Sequence, residues 1–368
     1  MLPRLRSLAV ITMALASATP GAAQQKVTVD DYEPRSMLVI PETKLLKAKF
    51  PFIDVHGHQN LSMGDSEFAS LVAQMDNIGL RTMVNLSGGS GDRLANQVKN
   101  AKAKYPGRFL VFANVNWSAA GEPDFAAKAA AQLEKDVREG GAAGLKIFKD
   151  FGMDDRWPDG SRVRVDDARF DPIWDKCGDL GIPVLIHTAE PPAFFFPVDK
   201  HNERYTELVQ FPGRARPPER YPPFDSLMGE QHRMFKRHPK TKFISAHLSW
   251  LGADLARLAR TLDTIPNMSV EVAAALYEIG RQPKFGKQFF LKYQDRILMG
   301  KDIFGGEDEF RVYFRIFESE DEYFPWYRRR HAFWGMYGLG LPDEVLKKVY
   351  YKNAIRLIPG IDASAFPK

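Results

Sequence analysis

Phe52-Ile53-Asp54-Val55-His56-Gly57-His58 is a short apolar run that ends in two histidines one residue apart. Side chains on a strand alternate faces, so an extended backbone here turns His56 and His58 the same way, which is a chelating arrangement. Pro51 suits the start of a strand, and the Gln-Asn-Leu-Ser-Met-Gly that follows reads as a loop before Asp65 opens a helical pattern. The pair therefore lies where a β/α unit leaves its strand. Taken alone it is as compatible with two polar loop residues as with a metal site, and the rest of the chain decides.

Outward from this stretch the same rhythm repeats. Apolar runs at residues 52–58, 81–87, 109–117, 143–149, 183–188, 242–249, 268–273 and 296–302 alternate with amphipathic stretches at 67–78, 93–104, 124–139, 169–180, 228–237, 254–263 and 288–293. Nearly every run is uniformly apolar rather than alternating, which is the pattern of parallel strands buried on both faces. Eight of them interleaved with helices predict an α/β fold, a (β/α)8 TIM barrel. A last helix is expected over 342–357, with Pro342 and two acids in its first turn and Pro359-Gly360 past its end. Two stretches break the rhythm. Residues 189–227, after strand 5, include Pro191-Pro192-Ala193-Phe194-Phe195-Phe196-Pro197, and residues 303–334, after strand 8, include Tyr323-Phe-Pro-Trp-Tyr327. Both follow the C-terminal ends of strands, the active-site face of such a barrel, and read as lid insertions walling a substrate or as plain structural covers.

The 368 residues accommodate one barrel of about 250 residues with insertions. Hydrophobic and charged fractions of 44% and 26% are those of an ordinary globular protein and exclude global disorder. A net charge of +5, with both signs interspersed, excludes a nucleic-acid stripe or a membrane patch and leaves a small molecule as the expected partner. At the N-terminus, Arg4 and Arg6 precede an apolar run from Ser7 to Ala18 and the small residues Gly21-Ala22-Ala23. That is the layout of a secretory signal peptide over residues 1–23, too short to span a bilayer, followed by an extension at 24–50 and the barrel at 51–360. The mature protein is expected to be periplasmic or secreted and to carry no integral membrane segment; monomer and homo-oligomer are both open. The lone cysteine, Cys177, forbids an intramolecular disulfide and reads as helix packing.

Polar residues gather at the strand ends. Strand 4 carries Gly144-Leu145-Lys146-Ile147-Phe148-Lys149, strand 5 ends Ile186-His187, strand 6 ends Ala246-His247 and strand 8 ends Gly300-Lys301-Asp302. Of eight histidines, His56, His58, His187 and His247 fall at these positions, while His201, His232, His238 and His331 scatter into helices and loops. Four imidazoles and an aspartate converging on one rim point to a metal, because buried and unpaired they would each be costly.

The order His-x-His on strand 1, Lys on strand 4, His on strands 5 and 6 and Asp on strand 8 resembles the amidohydrolase superfamily. The Ile-Asp-x-His-x-His opening and the Pro-Val-Leu-Ile-His and Ile-Ser-Ala-His strands are similar to its amidohydrolase-related branch, which also contains metal-dependent decarboxylases. The resemblance covers residues 52–359 and implies that His56, His58, His187 and Asp302 ligate a divalent metal, zinc first and manganese as the alternative, one or two ions per chain. It makes His247 a second-metal ligand or a hydrogen-bond donor to a substrate carbonyl. It also puts Lys146 where binuclear members carry a carbamylated bridging lysine, with Lys149 close by. The Gly-Lys-Asp of strand 8 departs from the commoner Gly-Thr-Asp and Gly-Ser-Asp at the residue beside the ligand, and Glu271 on strand 7 has no assigned role.

The chemistry expected of such a site is hydrolysis of an acyl C–O or C–N bond in a lactone, ester or amide, with Asp302 moving the proton of the attacking water. Aromatic clusters that include Trp157 point to a cyclic or aromatic substrate, with Arg156, Arg204 or Arg311 set to hold a carboxylate. The alternative is a lyase, a metal-dependent non-oxidative decarboxylase of an aromatic acid, in which Asp302 protonates the ring. A barrel that only binds a ligand is a third reading, against which stands the retention of every rim ligand. Serine-triad hydrolysis is disfavoured, since Ser87-Gly-Gly-Ser-Gly91 is a glycine-rich turn and not a Gly-x-Ser-x-Gly elbow. Expressed in a bacterial host, the chain is expected to reach the periplasm with residues 1–23 removed; an intact mass that retains them would contradict the leader.

Overall fold

The eight apolar runs are eight parallel strands in the computed structural model, which describes residues 27–28, 31–32 and 36–368. The expected leader lies outside the described residues. The chain divides into two units, residues 1–39 and residues 40–368, and the barrel lies in the second. Its strands are β1 (Phe52–Gly57), β2 (Leu80–Asn85), β3 (Phe109–Asn114), β4 (Gly144–Ile147), β5 (Val184–Ile186), β6 (Phe243–Ser245), β7 (Met268–Glu271) and β8 (Ile297–Leu298). Between and after them come α1 (Asp65–Ile78), α2 (Gly91–Lys104), α3 (Phe125–Arg138), α4 (Asp171–Leu180), α5 (Tyr205–Gln210), α6 (Phe224–Arg237), α7 (Leu255–Thr264), α8 (Leu276–Gly280), α9 (Pro283–Lys292), α10 (Glu307–Glu318), α11 (Asp343–Lys347) and α12 (Asn353–Leu357).

Each strand pairs in parallel with the next, in the order β1 to β8. The cylinder closes where the Val55 amide donates to the Met299 carbonyl (3.0 Å) and the Asp302 amide to the His56 carbonyl (2.6 Å). Every residue of β1, β4, β5, β6, β7 and β8 is buried, as the absence of alternation requires, because one face fills the barrel and the other meets helices. Local signals set the boundaries. The Glu67 carboxylate accepts from the Gly64 amide at the start of α1, and Gly79, with φ 84°, ends that helix in a left-handed conformation that a side chain would strain.

Residues 303–334, expected to be a lid walling a substrate or a plain structural cover, are in their first half the eighth barrel helix. Phe310, Tyr313, Phe314 and Phe317 recur at helical spacing on one buried face of α10. Phe310 and Phe314 meet Phe52 of β1 with ring centroids 5.8 and 5.4 Å apart. In this half of the stretch the aromatic residues are core packing. The helix expected over 342–357 is present as α11 and α12 joined by a π-helical turn, Lys348–Lys352. The Val349 carbonyl accepts from the Met299 amide (2.9 Å) and Asn353 Nδ2 donates to the Ile297 carbonyl (2.8 Å), so this helix fastens the two-residue β8. Strand β6 stops at Ser245 rather than running on to 249, because the chain turns left-handed there.

Phe52 thus joins strand, barrel helix and C-terminal segment in one aromatic cluster. We expect Phe52→Ala to lower unfolding free energy by about 3–5 kcal/mol in denaturant titration; a loss below 1 kcal/mol would mean that this contact does not hold the barrel together.

Candidate metal centre

Asp54, His56 and His58 share a parity on β1, and their neighbours fix how each is used. Asp54 is buried and its Oδ1 accepts from the backbone N–H groups of His56 and Lys301, both at 3.0 Å, joining the ends of β1 and β8. Burial raises its pKa to about 7. His56 Nδ1 lies 2.9 Å from Glu271 Oε1, and His58 Nδ1 lies 2.8 Å from Ser87 Oγ, so both rings turn Nε2 towards the barrel axis. The glycine-rich turn after β2 has its use here, as the anchor of His58.

The two Nε2 atoms stand 3.8 and 3.6 Å from Asp302 Oδ1. That is too long for hydrogen bonds and little more than the ~3.4 Å that separates tetrahedral ligands sitting ~2.1 Å from one ion. Asp302 has φ 78°, in the left-handed region, which a residue needs a reason to occupy. Burial works against its charge, but the His56, His247 and His58 imidazoles and Lys146 outweigh it and hold the carboxyl down at about 2. Burial, and next the Lys146 cation, push His58 down to about 4 and His56 well below the ordinary imidazole range. These imidazoles are neutral at physiological pH, the form that ligates a metal.

Glu271, unassigned in the sequence, is the hub. It is fully buried, and three N–H groups converge on it: His56 Nδ1 (2.9 Å), the His247 amide (2.8 Å) and the Ala273 amide (2.5 Å). Burial raises its pKa, opposed by the His247 side chain, the His247 and Ala273 amides and Lys146. The space for it exists because residue 300 is glycine; a Cβ there would stand 2.5 Å from Glu271 Oε2 and 3.2 Å from His56 Cβ. An acid closing an apolar strand, beside others that close on His and Asp, was the available signal.

His247 begins a run of four left-handed residues, His247 to Trp250, with φ between 53° and 56°. Such a turn costs about 1–2 kcal/mol per residue, and local bonds hold it: the His247 amide on Glu271, Ser249 Oγ on Ser245 Oγ (2.6 Å) and the Leu251 amide on the Leu248 carbonyl (2.9 Å). The Ala273 carbonyl accepts from His247 Nδ1–H (2.7 Å), so His247 keeps its lone pair on Nε2, 3.2 Å from His187 Nδ1. His187 Nε2 is buried without a hydrogen-bond partner; its nearest carboxylate atom, Glu190 Oε2, is 3.9 Å away. An orphaned buried imidazole nitrogen beside converging donors is what a metal site requires.

Lys146, not Lys149, faces this centre. Its buried Nζ is 3.5 Å from His56 Nε2, and burial lowers it to about 8. Lys149 instead pairs with Glu190 (2.5 Å). The departure at Lys301 turns out to face away: its Nζ reaches Glu309 (2.5 Å) and the rings of Phe310, Tyr313 and Tyr327. Of the expected residues, His56, His58, His247, Asp302 and Lys146 come together, and His187 joins through His247. Trp157 and Arg204 do not join them. Trp157 stacks on Phe170 with centroids 5.5 Å apart and lies under Arg169. Arg204 is buried against Glu207 and donates to Tyr277 Oη. Arg156 spends its donors on backbone carbonyls and Arg311 on Glu307 and Asp308.

A parallel eight-stranded barrel with imidazoles and a carboxylate converging at the C-terminal strand ends defines a metal-dependent TIM-barrel enzyme, with a divalent-metal site. The chain belongs to the amidohydrolase-2 family, whose model, described as amidohydrolase, matches residues 53–360. No curated protein matches it. Among solved structures it is similar to a candidate amidohydrolase from Staphylococcus aureus, with a TM-score of 0.52 and 18% identity over 83% of this chain and 99% of that one. It is also similar to 4-oxalomesaconate hydratase from Rhodopseudomonas palustris (TM-score 0.52, 14% identity, 85% and 97% covered). A third is a manganese-bound 5-carboxyvanillate decarboxylase from Novosphingobium aromaticivorans (TM-score 0.51, 15% identity, 86% and 99% covered). At these identities the likeness is one of fold.

Glu271→Gln would set an NH2 group against N–H donors. We expect it to weaken metal affinity about 10- to 100-fold in chelator-competition titrations; unchanged affinity would remove Glu271 from the support of the site.

Proposed function

We propose that this enzyme hydrolyses an acyl C–O or C–N bond of a small cyclic or aromatic lactone, ester or amide, with His56, His58, His187 and Asp302 holding a divalent metal. The observation that carries the reading is the Asp302 carboxylate, kept ionised within reach of both strand-1 imidazoles. A bound divalent ion would supply Lewis acidity, polarising a carbonyl and lowering the pKa of its water from about 15.7 to roughly 7. Asp302 receives the proton of the attacking water and returns it to the leaving group. Its side chain is 29% exposed and that of His58 25%, which makes them the solvent-facing side of the cluster. His247 spends its N–H on the Ala273 carbonyl and turns its Nε2 lone pair to His187 Nδ1, with its ring centroid 4.9 Å from that of His56, which suits a ligand to a second ion rather than a donor to a substrate carbonyl. Lys146, if carbamylated, would help hold a second ion and raise the metal count from one to two. Zinc suits this donor set, and the manganese of the structural neighbour is the alternative.

The same pocket in a decarboxylase would need a cation for the substrate carboxylate. Among the described residues, Arg204, Arg311, Arg216 and Lys149 are already paired with carboxylates, which leaves Lys146. The leader at residues 1–23 supports export as part of the proposal.

Metal-stripped protein is expected to be inactive on an ester, lactone and amide panel and to recover with added zinc or manganese. Asp302→Asn is expected to lose about 100-fold or more in kcat/KM with an unchanged melting temperature. Carbon dioxide release from an aromatic acid without 18O uptake from water, or wild-type rates in Asp302→Asn, would overturn the reading.

A further inference from the structure

Hydrogen bonds through the histidines fix which nitrogen of His187 carries a lone pair. His247 Nδ1 donates to the Ala273 carbonyl (2.7 Å), a group that can only accept, so His247 Nε2 is an acceptor. His187 Nδ1, 3.2 Å from that atom, is therefore the donor of the bond between the two rings. His187 Nε2 keeps the remaining lone pair. A protonated ring would carry Nε2–H instead, and that atom is buried with no acceptor within hydrogen-bond reach. The nearest carboxylate atom is Glu190 Oε2, 3.9 Å away. Two acceptors thus lie close together with no donor shared between them, an arrangement that repels unless a cation joins them.

The backbone bends to bring Glu190 beside His187. Ala189, between them, is fully buried and has φ 63°, in the left-handed region that a residue with a side chain occupies only when its surroundings hold it there. Thr188 supplies one such hold, its Oγ1 accepting from Gln231 Nε2 (2.8 Å). Glu190 is 5% exposed, and its two oxygens are used differently. Oε1 accepts from Lys149 Nζ (2.5 Å) and from Arg216 Nη2 (3.2 Å), which fix the group in place. Oε2 takes no hydrogen bond from a described residue, and a buried carboxylate oxygen without a partner is costly. One ion bound ~2.1 Å from each atom would satisfy Oε2 and His187 Nε2 together: ligands of such an ion stand ~3.4 Å apart at the tetrahedral angle and at most ~4.2 Å apart when opposite. The observed 3.9 Å falls inside that range, as do the 3.8 and 3.6 Å from Asp302 to the strand-1 imidazoles.

We infer that Glu190 is a metal ligand, binding through Oε2 the ion that His187 holds through Nε2. The inference deepens the proposed function of the same site and rests on its metal centre. The test is a crystal structure of the full chain loaded with zinc, with data collected at the zinc absorption edge so that anomalous scattering locates each ion. An ion about 2.0–2.2 Å from both Glu190 Oε2 and His187 Nε2 is expected. Cobalt in place of zinc reports the same ligand in solution. Glu190→Gln is expected to shift the visible absorption bands of the bound cobalt and to weaken its binding about tenfold or more; Glu190→Asp takes its place if the first variant is insoluble. Hydrolysis of the ester, lactone and amide panel is followed in the wild-type samples. An ion on His56, His58 and Asp302 with Glu190 Oε2 more than about 3 Å from any ion, or cobalt bands and affinity unchanged in the variant, overturns the inference and leaves the hydrolytic reading standing. An ion seated on Glu190 and His187 with no panel substrate hydrolysed contradicts the hydrolytic reading alone. A chain that takes up no ion contradicts both.

Discussion

Glu271 puts a carboxylate at the closed end of the barrel mouth, where no water reaches it and three N–H groups do. The rest of the centre depends on that arrangement. By accepting from His56 Nδ1, it points His56 Nε2 at Asp302, and by accepting from the His247 amide it anchors the first residue of a left-handed turn that would otherwise be disfavoured. The cost of burying the charge is met by the donors, and the room for it by the missing side chain at Gly300. One interaction therefore couples strands β1, β7 and β8 and the turn after β6 into a single rigid support.

Around that support the charges are arranged with little left free. Asp302 stays ionised despite its burial, and His56 and His58 stay neutral because they are buried beside Lys146. Farther out, Glu190 ties Lys149 and Arg216 together, and Glu207 ties Arg204 and Arg214. The 189–227 insertion is thus held by ion pairs to the buried Glu190 and Glu207, whose partners come from Lys149 just past β4 and from the insertion itself.

Much of this was legible in the chain. Uniformly apolar runs at barrel spacing gave the strands, because a strand buried on both faces has no choice of residue, and the rim residues His56, His58, His187, His247, Lys146 and Asp302 stood out as polar groups closing those runs. Glu271 closes β7 in the same manner, yet one acid at a strand end has no spacing partner in sequence, and its meaning lies in contacts to residues over 20 and over 200 positions away. Arg204 and Trp157 lie away from the metal centre, and composition alone does not reveal the pairing that holds them there. A lone arginine in an aromatic loop looks free until Glu207 and Tyr277 are folded against it, and Trp157 looks exposed until Phe170 and Arg169 cover it. The helix Glu307–Glu318 was hidden in the same way, its aromatic stripe being core and not lid.

The most direct measurement of the metal-centred account is the metal content of the purified chain by plasma mass spectrometry, with His56→Ala as the control. About one or two divalent ions per wild-type chain, absent from the variant, is the result expected of donors that share an ion. No metal in the wild type, even after reconstitution with zinc or manganese, would mean that the buried histidines and Asp302 are scaffolding, and the enzymatic reading built on them would fall with it.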